Sequence, residues 1–169
     1  MNNVVVNGDM VDINNQSEIN ATSLNSGMFI DADSSLRIAD SQIKSAGTLY
    51  SNTNMVWDGV TPEVLIERSS VQGTIIELQG QNLTTSATII NGNDVILKAE
   101  NNLNIQGNSI VYASNDINMN GNVQTNVLGS TVSADNININ SVASDTNIVG
   151  SRVLTSGLTS ITGDRKSVV

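Results

Sequence analysis

A short string recurs along this chain: Ser, any residue, Ile or Val, then a small or polar pair. It stands at Ser17-Glu18-Ile19-Asn20-Ala21, Ser41-Gln42-Ile43-Lys44-Ser45, Ser69-Ser70-Val71-Gln72-Gly73, Ser130-Thr131-Val132-Ser133-Ala134 and Ser151-Arg152-Val153, with looser copies beginning at Ala87 and Asn108. From 87 to 108, 108 to 130 and 130 to 151 the intervals are 21, 22 and 21 residues, the scale of one solenoid coil. A unit this short cannot bury its own apolar side chains, so the repeat demands a stack in which each coil covers the next.

A second element accompanies the first, an apolar, polar, apolar triplet such as Val95-Ile96-Leu97, Leu103-Asn104-Ile105, Ile117-Asn118-Met119 and Ile137-Asn138-Ile139. Its period of two is that of a strand with one buried and one exposed side. Between the triplets lie Asn, Asp, Gly and Ser, which suit sharp bends. The coil from Val95 to Asn115 is therefore expected to be triangular, with Val95 and Leu97 inward on one wall, Leu103 and Ile105 on a second, and Ile110 and Tyr112 on a third. Ile117 and Met119 should stack over Val95 and Leu97, followed by Ile137 and Ile139. The predicted fold class is all-β, a right-handed parallel β-helix of about seven coils of roughly 21 residues, on the order of 35 Å long. A β-sandwich would need longer hairpin strands and fewer bends.

Composition agrees. Asn is the commonest residue, aromatics are 2%, and there is one Pro, while hydrophobic residues still reach 38% and recur throughout, which argues against disorder. The 169 residues suit one domain, read as residues 1–169 of a longer solenoid with no polar cap closing it: less regular coils over 1–91 and regular repeats over 92–163.

A formal charge of −9 disfavours nucleic acid and anionic membranes as partners. With no Cys and no His, disulfides, thiolate metal sites and His-dependent nucleophilic triads are excluded. No stretch approaches the roughly 20 apolar residues of a membrane helix, and no export signal opens the chain, so for an exported parent it would lie outside this sequence.

Several residues merit consideration as sites. Asp31 and Asp33, or Glu63 and Glu67 near Arg68, offer the paired carboxylates that acid/base or cation chemistry uses, against the plainer reading of solvated bends. Asp94, Asp116 and Asp135 recur at bends like a calcium ladder, but the Gly-rich nonapeptide of calcium β-rolls is absent, and a turn-forming role is expected. Neither catalytic nor metal-binding residues, nor any cofactor, are predicted. Asn104, Asn118 and Asn138 are placed to form outward amide ladders. The Thr residues, Thr84, Thr85, Thr88, Thr125, Thr131 and Thr146, do not keep the single register that an ice-binding face would require. The interval from Ser41 to Ser69 is 28 residues, and the surplus falls in an extended loop at 49–66, from Leu49 to Ile66, with Tyr50, Trp57 and Asp58 as a candidate partner-binding group. The plainer reading has Trp57 packing over the core.

Asn93-Asp94-Val95-Ile96-Leu97-Lys98-Ala99 followed by Asn102-Leu103-Asn104-Ile105-Gln106-Gly107-Asn108-Ser109 resembles the haemagglutinin repeats of filamentous haemagglutinins and of contact-dependent growth-inhibition exoproteins. Ala134-Asp135-Asn136-Ile137-Asn138-Ile139 and Asp145-Thr146-Asn147-Ile148-Val149-Gly150-Ser151-Arg152-Val153 are similar to the same repeats, and the likeness runs from Gly92 to Gly163. The resemblance implies a non-enzymatic, structural or adhesive shaft on a Gram-negative cell surface, exported by two-partner secretion through an outer-membrane transporter. It would present adhesin or toxin parts to a protein or glycan receptor on another cell, as a monomer that does not enter the membrane. A carbohydrate-active β-helix enzyme and a trimeric phage or virulence fibre are the rival expectations.

Overall fold

The computed structural model describes residues 4–13, 16–21, 28–45, 47–53, 63–163 and 166–168. Among these residues there are nineteen strands and no helix, and every strand pairing is parallel. Parallelism follows from the bends: consecutive strands turn a corner instead of folding back, so each strand meets its counterpart one coil later.

Three columns of strands result. The first face runs from the start of Val4–Ile13 and of Met28–Ala39 through Thr48–Thr53, Ile75–Gly80, the ends of Ile89–Ala99 and Ile110–Gly121, then Asn136–Ser141 and Thr159–Thr162. The second takes the ends of Val4–Ile13 and Met28–Ala39, then Glu63–Glu67, Asn82–Ser86, Asn102–Gln106, Gln124–Leu128, Thr146–Val149 and Lys166–Val168. The third comprises Glu18–Ala21, Gln42–Ser45, Ser70–Gln72, the starts of Ile89–Ala99 and Ile110–Gly121, Thr131–Ala134 and Arg152–Thr155. The chain is a parallel β-helix.

Inward residues stack by type. On the first face Leu49, Ile76, Val95, Ile117 and Ile137 are register partners in turn, and Leu78, Leu97, Met119 and Ile139 form the next column, as the sequence led us to expect. Ile43, Val71, Ile90, Val111 and Val132 do the same on the third. All are buried, and each such side chain contributes about 1.5–3 kcal/mol relative to exposure.

The third wall corrects one expectation. Ile110 and Tyr112 are 42% and 45% exposed, whereas Val111 and Ala113 are buried. The cause lies one residue upstream. Gln16, Asp40, Arg68, Ala87, Asn108, Gly129 and Gly150 all have positive φ, so the left-handed residue precedes the Ser or Thr in every copy. The loose copies therefore begin at Thr88 and Ser109, not at Ala87 and Asn108, and a one-residue shift exchanges the two sides of a strand. Counted this way, 88 to 109, 109 to 130 and 130 to 151 are each 21 residues.

The hydroxyl after the left-handed residue points inward. Ser41 Oγ donates to Ala39 O at 2.7 Å, Ser69 Oγ to Glu67 O at 2.6 Å, Ser130 Oγ to Leu128 O at 2.9 Å and Ser151 Oγ to Val149 O at 3.0 Å. The same oxygens accept from the coil before: Ser41 N–H donates to Ser69 Oγ at 3.1 Å, Thr88 N–H to Ser109 Oγ at 3.3 Å and Ser130 N–H to Ser151 Oγ at 3.1 Å. The N–H groups of Ser41, Thr88 and Ser130 are thereby given acceptors at the corners, which explains why the motif needs a hydroxyl.

Candidate functional site

A β-helix places its chemistry on the outward positions of its walls. On the second face one outward column runs Asp12, Arg37, Leu65, Thr84, Asn104, Asn126, Asn147. Its early coils are ionic: Arg37 meets Asp12 at 3.3 Å and Glu67 at 3.2 Å. Its later coils are held by amides, for Asn104 Nδ2 donates to Thr84 Oγ1 at 3.3 Å, Asn126 Nδ2 to Asn104 Oδ1 at 2.8 Å and Asn147 Nδ2 to Asn126 Oδ1 at 2.9 Å. Of the three Asn expected to form ladders, Asn104 thus joins a bonded one, with Asn126 and Asn147 as its partners. Asn118 and Asn138 lie on the first face instead, paired in backbone register with each other. The triplet pattern could not tell the two walls apart, since both carry apolar, Asn, apolar.

The first face presents Asn118 and Asn120 on one coil, Asn138 and Asn140 on the next, and Ser160 and Thr162 after them. Two adjoining open hollows lie on this surface, about 260 and 310 Å³ in volume, sharing Asn118 and Asn138. Lys98 stands at the rim with its ammonium 2.8 Å from Glu77, and that hydrogen bond holds the Glu77 carboxyl below its usual range.

The candidate carboxylates do not converge on a cleft among the described residues. Glu67 is shared between Arg37 and Arg68, and Arg68 makes a two-pronged contact with Asp40 at 2.7 and 2.8 Å. This contact keeps the Asp40 carboxyl below its ordinary value, the reverse of what a general acid requires. The side chains of Asp31 and Asp33 lie outside the described residues; the backbone of Asp31 pairs with Asn7 and Asn52 on the first face. Asp94 and Asp116 are register partners, but the next rung holds Asn136, whose Nδ2 donates to Asp116 at 2.9 Å. Asp135 sits in the corner before it, its carbonyl accepting Gly157 N–H at 2.8 Å and its carboxylate Ser156 Oγ at 2.6 Å. Among the described residues no three carboxylates gather to hold a metal ion.

The surplus residues of the long interval fall between Thr48–Thr53 on the first face and Glu63–Glu67 on the second, and residues 54–62 lie outside the described residues. Trp57, Asp58 and the Tyr50 side chain lie outside the described residues, while the Tyr50 backbone pairs with Phe29 and Glu77.

Fold and surface together define a parallel β-helix with a hydrogen-bonded polar column on one wall and an amide array on another, where Asn140 accepts from Thr162 while Asn118, Asn120 and Asn138 have no side-chain partner among the described residues. No known protein family, no curated protein and no solved structure matches the chain.

Proposed function

We propose that this chain is a structural or adhesive shaft segment of a large secreted bacterial surface protein, which presents adhesin or toxin parts to other cells. The observation that carries the reading is continuity. Parallel pairing joins every successive described rung on all three faces, and apolar columns run beneath them. Pulling or bending such a rod works against rows of backbone hydrogen bonds and a shared core at once, so it keeps distance and direction between its ends.

A backbone and core that repeat from coil to coil suit a spacer, and catalysis would need groups that converge, so the reading is non-catalytic. The likeness of residues 92–163 to haemagglutinin repeats supports placing the parent at a Gram-negative cell surface, with an outer-membrane two-partner transporter as its export partner. A protein or glycan on a neighbouring cell would be its receptor.

Small-angle scattering combined with sedimentation tests the proposal. A monomeric prolate rod is expected. A compact globule would overturn the shaft reading, and a trimer would replace it with a fibre.

A further inference from the structure

The same coils treat one side chain in two ways. On the second face the amides of Asn104, Asn126 and Asn147 bond to one another. On the first face Asn118, Asn120 and Asn138 hold equivalent outward positions in matching register, are exposed, and have no side-chain partner among the described residues. Ladder stabilisation accounts for the first set, whereas the second offers its amides to solvent. That second set lines the two adjoining hollows, with Ile96 and the 78% exposed Leu158 at opposite ends.

We propose that the first face over these coils is a binding platform for a neutral polysaccharide chain, gripped by Asn118, Asn120 and Asn138. A primary amide offers two N–H donors and a carbonyl acceptor, which matches a pair of neighbouring hydroxyls that each donate and accept. Amides repeat about 4.8 Å apart along the axis and about 6.6 Å apart along a strand, a grid suited to an extended polymer of similar units. Ile96 and Leu158 supply apolar surface for the C–H faces of the sugar rings.

Charge selects the class of glycan. The chain carries a formal charge of −9 and the cation at the rim, Lys98, is already engaged by Glu77, so sulfated or uronic polymers are repelled. An extended peptide is a poorer occupant, because strand addition needs a free sheet edge and here the strand backbones are paired with the coils above and below. The inference deepens the presentation reading and rests on it, since a platform needs a rigid rod beneath it.

Affinity electrophoresis of the full chain in gels containing dextran, hydroxyethylcellulose, yeast mannan or heparin tests it. Retardation by at least one neutral polymer and none by heparin is expected, weakened at least tenfold in the double variant Asn118→Ala/Asn138→Ala and unchanged in Asn126→Ala on the other wall. Circular dichroism on each variant confirms that the β-fold persists, and Asn118→Asp/Asn138→Asp, which keeps side-chain shape, should lose binding as well. Retardation by heparin alone, by none of the polymers, or equally for the double alanine variant would overturn the platform. Scattering on the same samples keeps the outcomes distinct: a rod that ignores neutral glycans refutes the platform and leaves the shaft, whereas a globule refutes the shaft.

Discussion

The Asn126 amide donates to Asn104 Oδ1 at 2.8 Å and its own Oδ1 accepts from Asn147 at 2.9 Å, so one side chain ties together three coils of the second face. Asn126→Ala removes both bonds at a half-buried position, and a loss of about 1–3 kcal/mol is expected at roughly 1 kcal/mol per bond. Chemical denaturation measures it. Asn104→Ala combined with Asn126→Ala should cost less than the sum of the single changes, because they share a bond; strict additivity would mean that this shared bond contributes nothing.

Ser109 tests the corner hydroxyls. Its Oγ donates to Gln106 O at 2.7 Å and accepts Thr88 N–H; Gln106 O keeps backbone donors, so Ser109→Ala takes the partner from the Thr88 N–H and should cost about 1–3 kcal/mol. Amide exchange at Thr88 should quicken in that variant. Ser109→Thr is expected to be tolerated, since Thr88 fills the same corner position one coil earlier; a loss equal to that of the alanine variant would refute the role of the hydroxyl.

Register on the third wall is open to direct test. Val111→Asp buries a charge in the core and is expected to cost more than about 3 kcal/mol, while Tyr112→Asp, on the solvent side, should cost under about 1 kcal/mol. Thermal melts of the two variants decide the matter, and the opposite order would restore the other register.

Two glycines separate space from backbone strain. A Cβ on Gly121 would lie 2.0 Å from Gln124 O, so Gly121→Ala must displace the corner and should cost about 3 kcal/mol or more. At Gly129 φ is +55° and nothing lies within 4 Å of the added carbon, so Gly129→Ala should cost only the left-handed penalty of about 1–2 kcal/mol. Equal melting-temperature losses would contradict the crowding at Gly121.

The contact between Asp40 and Arg68 gives stability a pH dependence of known sign. The Arg68 hydrogen bond lowers the Asp40 carboxyl in the folded chain, so its contribution is present above the unfolded value of about 3.9 and is lost as pH falls through the lower folded one. Both groups are exposed, so the effect is small and should fade in high salt. Carboxyl-carbon NMR titration should show Asp40 returning to the ordinary range in Arg68→Gln; an unmoved midpoint would assign the shift to another cause.

Much of this architecture was legible in the residues themselves. Period-two triplets fixed which side of Val95, Leu97, Leu103 and Ile105 faces the core, and the return of the Ser-containing string required a stack. The third wall departs from the sequence expectation because Ala87 and Asn108 stand where a left-handed backbone is needed, and residue identity does not announce φ when the position is filled by Gln, Asp, Arg and Ala as readily as by Gly. Of the candidate surface groups, the amide ladder was legible as a kind and not as a set of partners.

What the sequence determined by itself was the class of fold, because a repeat of about 21 residues with alternating apolar positions can bury its core only by stacking parallel coils. What only the tertiary structure decided was which outward side chains meet. Asn104 is 22 residues from Asn126 and 14 from Asn118, yet it bonds to the first, because corner geometry sets which wall each strand joins and coil-to-coil register then brings side chains within hydrogen-bond reach.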